Sequence, residues 1–342
     1  MDDRPWATNG RRRARGESDR RGFRWRNLVS ALALLLGMGF IAALLHGQWS
    51  ALQAYSWRLS PGWFLLGFPP LALSWALEIA LWRTCLCNLG GRLTYRQAGM
   101  IWFLSNLVRY IPGNVWQFVG MAALAGEEDV PAEATLTSVV VHQALSATSV
   151  VTLAAVYFAW AGHIEMLRLT IPLAVMVGAL LVAIRPRWME RGLNLVLRLL
   201  RRPPLRVTLT TRQIIQMLPG YWASWALAGL GFAAVVRALT PLSWVLTPHL
   251  AMAFVLAYFI GYISLLTPSG LGVREGAMMW LLSGFLTAPI PVVASLVGRI
   301  WLTMGEVMGA GMALLLWHRR RSTRSRRELV GASAVVEAAP DG

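Results

Sequence analysis

Residues 267–276 read TPSGLGVREG and interrupt sequence that is otherwise apolar enough to lie in a membrane. The apolar run 250–266 precedes them, and a second run, 277–286, follows. Proline and glycine break a helix, and an arginine beside a glutamate is costly in apolar surroundings. An ionisable residue within membrane-spanning sequence is by default a functional-site hypothesis. We therefore expect Arg274 and Glu275 to belong to the functional site of a membrane protein.

The composition indicates a polytopic membrane protein. Of the 342 residues, 56% are hydrophobic and 14% are charged, whereas about a quarter of the residues of a soluble domain are charged. The apolar residues form long blocks without the polar face of a soluble amphipathic helix. Because roughly 20 apolar residues cross the hydrocarbon, we predict an all-α, polytopic fold with about eight membrane segments. The blocks are 28–45, 63–82, 134–160, 169–184, 221–236, 250–266 and 292–317.

The positive charge is placed as membrane topology requires. The net charge is +16, and all 32 basic residues are arginines. They cluster before residue 28, between 185 and 212, and after 317, at the ends of apolar runs, as the positive-inside rule predicts. A basic chain also suggests nucleic acid, but this placement favours topology and anionic headgroups. We expect no nucleic-acid partner, and we expect both termini in the cytoplasm.

The same pattern divides the chain into three regions. Residues 1–27 predict a basic, disordered cytoplasmic arm, 28–318 the transmembrane domain, and 319–342 a cytoplasmic tail.

Two segments do not fit a simple series of crossings. For the basic loops to share one side, 97–125 must enter and leave on the cytoplasmic side, so we predict a re-entrant hairpin there. The segment 268–288 must then cross or half-cross outward. A second re-entrant hairpin is the alternative, and it would place the C-terminus outside.

The two interrupted segments resemble each other and predict an internal pseudo-repeat. Residues 109–117 read RYIPGNVWQ, and an apolar run and a loop with proline follow each break. His142 then lies 30 residues after Pro112, and Arg299 lies 31 after Pro268. Such paired interruptions point to a transporter site at a repeat interface. The expected structural breaks are Pro112, Gly113, Pro268, Gly270 and Gly272.

Charged and polar residues near the breaks suggest a site for a lipid headgroup. An arginine at the bilayer centre costs about 2.5–3.5 kcal/mol, so several such residues are unlikely passengers. Arginine suits phosphate oxygens, and helix N-termini add amide donors for an anion. The alternative is that these residues only join helices by ion pairs. The expected headgroup-binding residues are Arg109, His142, Arg274, Glu275, Arg299 and Glu306.

The sequence lacks the signatures of several enzyme classes. It has no Walker A loop, HExxH helix, GxSxG elbow or dinucleotide fingerprint, and we expect neither cofactor nor metal. The acidic residues 127–129 could bind a divalent ion, as in enzymes with lipid-phosphate donors, but a solvated turn is the favoured interpretation. Cys85 and Cys87 are too close in sequence to form a good disulfide or a metal site.

Residues 268–276, with Arg299 in a downstream apolar span, resemble the signature of the lysylphosphatidylglycerol synthase transmembrane-region family, whose members are also called flippase-like domain proteins. Residues 109–117 resemble the first Pro-Gly element of that family. The resemblance covers about residues 28–318. Family members often have Pro-Gly-Gly where this chain has Pro268-Ser269-Gly270, and small residues are more usual at 114–116.

The resemblance implies a bacterial or archaeal inner-membrane protein that moves a polar lipid between leaflets or helps to modify it. Full synthases carry a C-terminal aminoacyltransferase domain, for which these 342 residues leave no room. We therefore expect no aminoacyl transfer by this chain alone.

The leading hypothesis is translocation, without ATP hydrolysis, of an anionic, aminoacylated or glycosylated lipid. The alternatives are a membrane-embedded transferase that uses a lipid-phosphate donor, and an accessory or scaffold protein of envelope lipid biosynthesis. The expected partners are a phospholipid or glycolipid substrate and a separately encoded transferase. The sequence does not define the oligomeric state.

Overall fold

The computed structural model describes residues 46, 49–55, 59–108, 116–161, 176–181, 185–199, 204, 206, 208–264 and 270–337. Within these residues the chain forms helices and no strands, which confirms the all-α prediction. The helices are α1 (Trp49–Ala54), α2 (Pro61–Leu66), α3 (Phe68–Asn88), α4 (Tyr95–Val108), α5 (Trp116–Gly126), α6 (Ala132–Ala161), α7 (Pro186–Leu199), α8 (Thr211–Leu239), α9 (Thr247–Ile263), α10 (Val273–Ser283) and α11 (Ile290–Glu337).

Five helical segments of the described chain are long and apolar enough to cross a membrane, which confirms the polytopic prediction. They are Pro61–Asn88, Ala132–Ala161, Thr211–Leu239, Trp244–Ile263 and Ile290–Trp317. The predicted arm 1–27, the predicted span 28–45 and most of the predicted span 169–184 lie outside the described residues.

Local sequence sets the ends of these helices. Thr94 caps α4 and Thr210 caps α8, each in a reciprocal pair with the glutamine three residues later. In both pairs the backbone N–H of the glutamine donates to threonine Oγ1 at 3.3 Å. The bond satisfies one of the backbone N–H groups that a helix leaves unpaired at its start. α3 ends before Gly90, whose φ of 92° suits glycine.

Two segments predicted as loop or tail are partly helical. The basic middle segment contains α7, on which Trp188 and Leu195 are exposed. α11 continues beyond the apolar run into the predicted tail, as far as Glu337.

The helix pair α2–α3 packs antiparallel to α8. The amide of Ser60, before α2, donates to the carbonyl of Ala238 near the end of α8, at 2.9 Å. At the other end, Gln213 Nε2 donates to Asn88 Oδ1 at 3.0 Å. The contacts at both ends show that the two spans lie side by side over their whole length.

The two spans approach closely because glycines face each other. A Cβ atom on Gly67 would lie 2.9 Å from the carbonyl oxygen of Gly231, and one on Gly231 would lie 2.7 Å from that of Gly67. Two turns further along α3, the hydroxyls of Ser74 and Ser224 are 3.1 Å apart. Small interfacial residues that allow backbone approach are typical of membrane helix pairs.

α4 and α5 form the first helical hairpin. Gln117 on α5 donates to Asn106 on α4, and Gln97 at the start of α4 donates to Glu128 after α5. The two helices therefore run antiparallel. That this hairpin is re-entrant stays a prediction. The residues that join them, 109–115, lie outside the described chain.

α9 and α10 form the second helical hairpin. Gly261 near the end of α9 packs against Arg274 at the start of α10, and His249 near the start of α9 lies 5.7 Å from Phe285 after α10. The 11 residues of α10 span only about 16 Å. The segment nevertheless returns to the level at which α9 begins. That 268–288 crosses or half-crosses the membrane stays a prediction.

The two halves of the chain use the same order of helices and the same packing partners. The helices α3, α4, α5 and α6 correspond to α8, α9, α10 and α11. α4 packs on α11 as α9 packs on α6, and α3 packs on α6 as α8 packs on α11. Because α3 and α8 are antiparallel, the halves are related as an inverted repeat, the arrangement of many transporters.

A short identical sequence marks equivalent positions in the two halves. Residues 74–77 and 224–227 both read SWAL. The first tryptophan, Trp75, meets Phe103 of α4 edge to face at 5.7 Å, and Trp225 meets Tyr258 of α9 in the same way at 5.4 Å. The repeat thus extends from helix order to individual ring contacts.

An inverted repeat predicts that the α3–α4 and α8–α9 connections lie on opposite sides of the membrane. In a Cys87→Ser background, we expect Arg92→Cys and Pro241→Cys each to react with a membrane-impermeant maleimide from one side only, and from opposite sides. Both positions are exposed, and Cys85 is buried. Labelling of both positions from the same side would contradict the inverted arrangement.

Candidate functional site

A polar cavity of about 100 Å³ lies where helices of both halves meet. Aromatic and aliphatic side chains form part of its wall, but a large share of the lining is polar. The polar lining residues are Ser74, Glu78, Asn106, Gln117, His142, Gln143, Ser146, Ser224, Tyr258, Tyr262 and Glu306. The two serines of the repeated SWAL sequence are among them, so the cavity lies beside the contact on which the repeat is centred.

Glu78 and His142 form an ion pair or a neutral hydrogen bond across the cavity wall. His142 Nε2 lies 3.1 Å from Glu78 Oε2, and the two side chains are 2% and 13% exposed. Glu78 comes from α3 and His142 from α6. Removing one partner from a buried pair typically costs about 3–5 kcal/mol, since the other is left unpaired. The pair therefore holds α3 and α6 together.

α8 completes the hydrogen-bonding of this pair. Ser224 Oγ donates to Glu78 Oε1 at 2.7 Å, and His142 Nδ1 lies 2.8 Å from Tyr221 Oη. A neutral imidazole with its proton on Nε2 satisfies both contacts, with Tyr221 as donor to Nδ1. Glu78, Ser224, His142 and Tyr221 thus form one network that links three spans. We call these four residues the polar network.

Trp102 offers the cavity a hydrogen-bond donor. Its ring meets the His142 ring edge to face at 5.3 Å, and its Nε1 is buried without a hydrogen-bond partner among the described residues. An unsatisfied buried donor is costly unless a ligand or water meets it. Trp102 also lines the cavity.

The cavity has no metal-ligand cluster in the described chain. Glu306, on α11, is 5% exposed and adds a second carboxylate to the lining. Among the described residues, no three His, Cys, Asp or Glu side chains come close enough to hold a metal ion.

Arg274 of the 267–276 motif lies behind the cavity wall. Its guanidinium stacks 4.5 Å from the ring of Tyr258 and 5.4 Å from that of Phe254, and both rings line the cavity. Tyr258 in turn meets Trp225, the middle residue of α8. Arg274 therefore lies level with the middle of α8, and the aromatic faces stabilise its charge there.

Glu275, the next residue, points in another direction and fastens α10 to α11. Its Oε1 accepts from Arg299 Nη1 at 2.8 Å, and its Oε2 accepts from the amide of Gly272 at 2.7 Å. The carboxylate is 2% exposed. A glutamate in the first turn is also favourable towards the helix dipole. We call Gly272, Glu275 and Arg299 the α10 clamp.

Glycines allow the turn into α10 to pack on α9. Gly270 has a φ of 69°, and a Cβ there would lie 2.6 Å from the carbonyl oxygen of Gly261. Gly272 has a φ of 82°. Both positions therefore require glycine for backbone conformation, and Gly270 also requires it for space.

Only some of the predicted headgroup-binding residues line the polar cavity. His142 and Glu306 line the polar cavity, whereas Glu275 and Arg299 form the α10 clamp and Arg274 backs the cavity wall. Arg109 and the predicted breaks Pro112, Gly113 and Pro268 lie outside the described residues. Headgroup binding by any of these residues remains a prediction.

Two cavity residues, Ser224 and Trp102, were not expected from the sequence. Glu78, one helical turn after Ser74 within an apolar run, could from the sequence alone be either a site residue or part of an ion pair between helices. The repeated SWAL sequence was the available signal, because it marks the point at which the two halves meet.

These features define an all-helical membrane protein with inverted halves and a polar cavity between them. The family described as lysylphosphatidylglycerol synthase TM region matches residues 30–306, and the chain belongs to that family. This confirms the resemblance drawn from the two motifs. Comparisons with curated proteins and with solved structures found no match. The family indicates a membrane protein concerned with lipid modification or translocation.

If Glu275 and Arg299 act as a clamp, their contributions to stability are coupled. We expect Glu275→Gln and Arg299→Gln each to lower the melting temperature of the detergent-solubilised protein clearly, because each removes the charge-assisted hydrogen bond between α10 and α11, a loss of about 1.5–3 kcal/mol. The double variant should be no worse than the poorer single variant, since the interaction is lost only once.

Glu133→Gln, at an exposed position in the first turn of α6, is the control and should lower the melting temperature much less, because only a helix-dipole contribution of about 0.3–1 kcal/mol is lost. Additive losses in the double variant would show that the two side chains act independently.

Proposed function

We propose that the chain moves a polar lipid between leaflets without ATP hydrolysis, and that the polar cavity takes the headgroup. The observation that carries the proposal is the position of this cavity, beside the contact between two inverted halves of an otherwise apolar bundle. Substrate sites of secondary transporters with inverted repeats lie at such an interface.

The chemistry of the cavity favours a headgroup with an ammonium group or several hydroxyls. Glu78 and Glu306 supply carboxylates, while Asn106, Gln117 and Gln143 supply amides. Among the described lining residues there is no arginine, and the aromatic rings of the wall suit a cation or a sugar face. We infer an aminoacylated or glycosylated lipid rather than one whose phosphate enters this cavity.

The polar side chains of the cavity would offer the headgroup hydrogen bonds that the hydrocarbon of the bilayer cannot. A charged or hydroxylated group that leaves water loses its hydrogen bonds, which is costly in an apolar medium. Glu78 and the indole of Trp102 would replace part of that hydration. The network is held by three helices, so little reorganisation accompanies binding.

A transferase is the second candidate, and the Glu78–His142 pair is the observation that favours it. A carboxylate that orients an imidazole is a common acid–base arrangement. An accessory role in envelope lipid biosynthesis would need neither transport nor chemistry.

The proposal predicts that Glu78 and His142 are required for lipid movement. In proteoliposomes that contain only this protein, we expect Glu78→Gln and His142→Phe to slow the transbilayer movement of acyl-labelled lysylphosphatidylglycerol about tenfold or more, the factor that corresponds to about 1.4 kcal/mol. Acyl-labelled phosphatidylglycerol and a glycosyl diacylglycerol, assayed in parallel, define the headgroup preference. Glu133→Gln is the matched control because the carboxylate is exposed.

The three candidates give different results in this assay. Undiminished movement in both cavity variants would remove the cavity assignment. No movement by the unaltered protein, together with a covalent product from a lipid-phosphate donor, would favour the transferase. Neither movement nor product, with co-purifying envelope enzymes, would favour the accessory role.

A further inference from the structure

A second, apolar cavity of about 510 Å³ forms a groove between α3, α4 and α11. Apart from Tyr95 and Arg96, the residues that line it are aliphatic, aromatic or glycine, a surface that suits hydrocarbon. Ala72 and Ala76 on α3 and Gly99 on α4 form part of its lining and leave its space open. A Cβ on Gly99 would meet only the end of Ile79, at 3.9 Å.

A thin aromatic partition separates this groove from the polar cavity. Trp75 and Leu71 line both spaces. The rings of Trp75 and Phe103 meet at 5.7 Å and lie against α11, where a Cβ on Gly305 would come within 2.7 Å of Trp75 and one on Gly309 within 2.2 Å of Phe103. The Trp75 ring therefore separates a molecule in the groove from the polar cavity.

One end of the groove carries a cation and a phenol. Arg96, at the start of α4, is exposed and donates from Nη2 to the carbonyl of Leu316 at 3.5 Å. Tyr95 donates to the carbonyl of Ala76 at 2.8 Å. Arg96 and Tyr95 both line the groove, whose other lining residues are aliphatic, aromatic or glycine. This combination matches a phosphate joined to a hydrocarbon chain.

The equivalent interface in the other half, between α6 and α9, is lined differently. There Tyr157 Oη and His249 Nδ1 are 2.6 Å apart, and Trp160 lies against the His249 ring at 5.6 Å. The glycine and alanine lining of the groove is therefore not repeated at these positions.

We propose that the groove binds one acyl chain of a glycerophospholipid, with the lipid phosphate at Arg96. Charge complementarity at one end, and continuity with the polar cavity through Trp75, favour a lipid over a second copy of this chain. The site holds a lipid beside the cavity whether or not the lipid is moved. Its role as the waiting position of the transported lipid rests on the proposed function.

Photolabelling in vesicles tests the proposal. The probe is phosphatidylglycerol with a diazirine in one acyl chain, and diacylglycerol with the same chain serves as the phosphate-free comparison. We expect phosphatidylglycerol to label peptides of α3, α4 and α11, and Ala76→Phe to reduce this labelling about tenfold, because the ring occupies the groove. Ala223→Phe, at an exposed alanine on α8 outside the described cavities, should leave it unchanged.

Arg96→Gln separates the phosphate contact from the hydrocarbon contact. We expect it to lower labelling by phosphatidylglycerol about fivefold, the change that one basic residue near a headgroup typically makes, and to leave labelling by diacylglycerol unaltered. Equal labelling by the two probes in the unaltered protein would overturn the assignment of the phosphate.

Other outcomes would overturn the groove itself. Labelling that Ala76→Phe and Ala72→Phe both leave intact would place the lipid elsewhere. An unlabelled groove in a dimer that Ala76→Phe dissociates would show that a second copy covers it. Translocation measured in the same vesicles keeps the two proposals apart: a labelled groove without movement refutes only the proposed function, and movement without groove labelling refutes only the groove.

Discussion

The crossing of α3 and α8 is the contact on which the rest of the membrane part depends. Gly67 and Gly231 bring the two backbones together, and the hydroxyls of Ser74 and Ser224 meet at the centre of the repeat. A larger side chain at either glycine would separate the helices. In apolar surroundings a polar group needs its partner within the protein, so Glu78, which accepts from Ser224, determines where α6 must lie. The polar cavity lies beside the polar network, and Glu78, His142 and Ser224 of the network line it.

The 267–276 motif supports that cavity from behind. Its two adjacent charges act on different neighbours, with Arg274 on the aromatic rings of α9 and Glu275 on Arg299 of α11. Tyr258 lines the cavity, and its ring also contacts the Arg274 guanidinium. The motif therefore contacts the cavity wall through two rings, those of Tyr258 and Phe254. Ligand entry and the packing of α10 would be expected to influence each other.

The class of fold and the interruption between α9 and α10 could be predicted from the sequence, because apolar length and helix-breaking residues are local properties. The composition of the site could not. Neighbouring residues on a helix point about 100° apart, so Arg274 and Glu275 could not both line one cavity once α10 formed at Val273. The pairing of Glu78 with His142 depends on how two distant spans pack, which no single stretch of sequence records.

The inverted relation of the halves also bears on how the chain enters the membrane. If the two halves insert in opposite directions, their equivalent connections lie on opposite sides of the membrane. The positive-inside rule then expects more basic residues in one connection than in the other. The α3–α4 connection carries Arg92 and is flanked by Arg83 and Arg96, whereas the α8–α9 connection, residues 240–246, has no charged residue and is flanked by one arginine, Arg237. We infer that the two halves kept the same helix order but differ in the arginine content of their equivalent connections. During membrane insertion, the position of the arginines rather than the apolar pattern would then determine the orientation of each half.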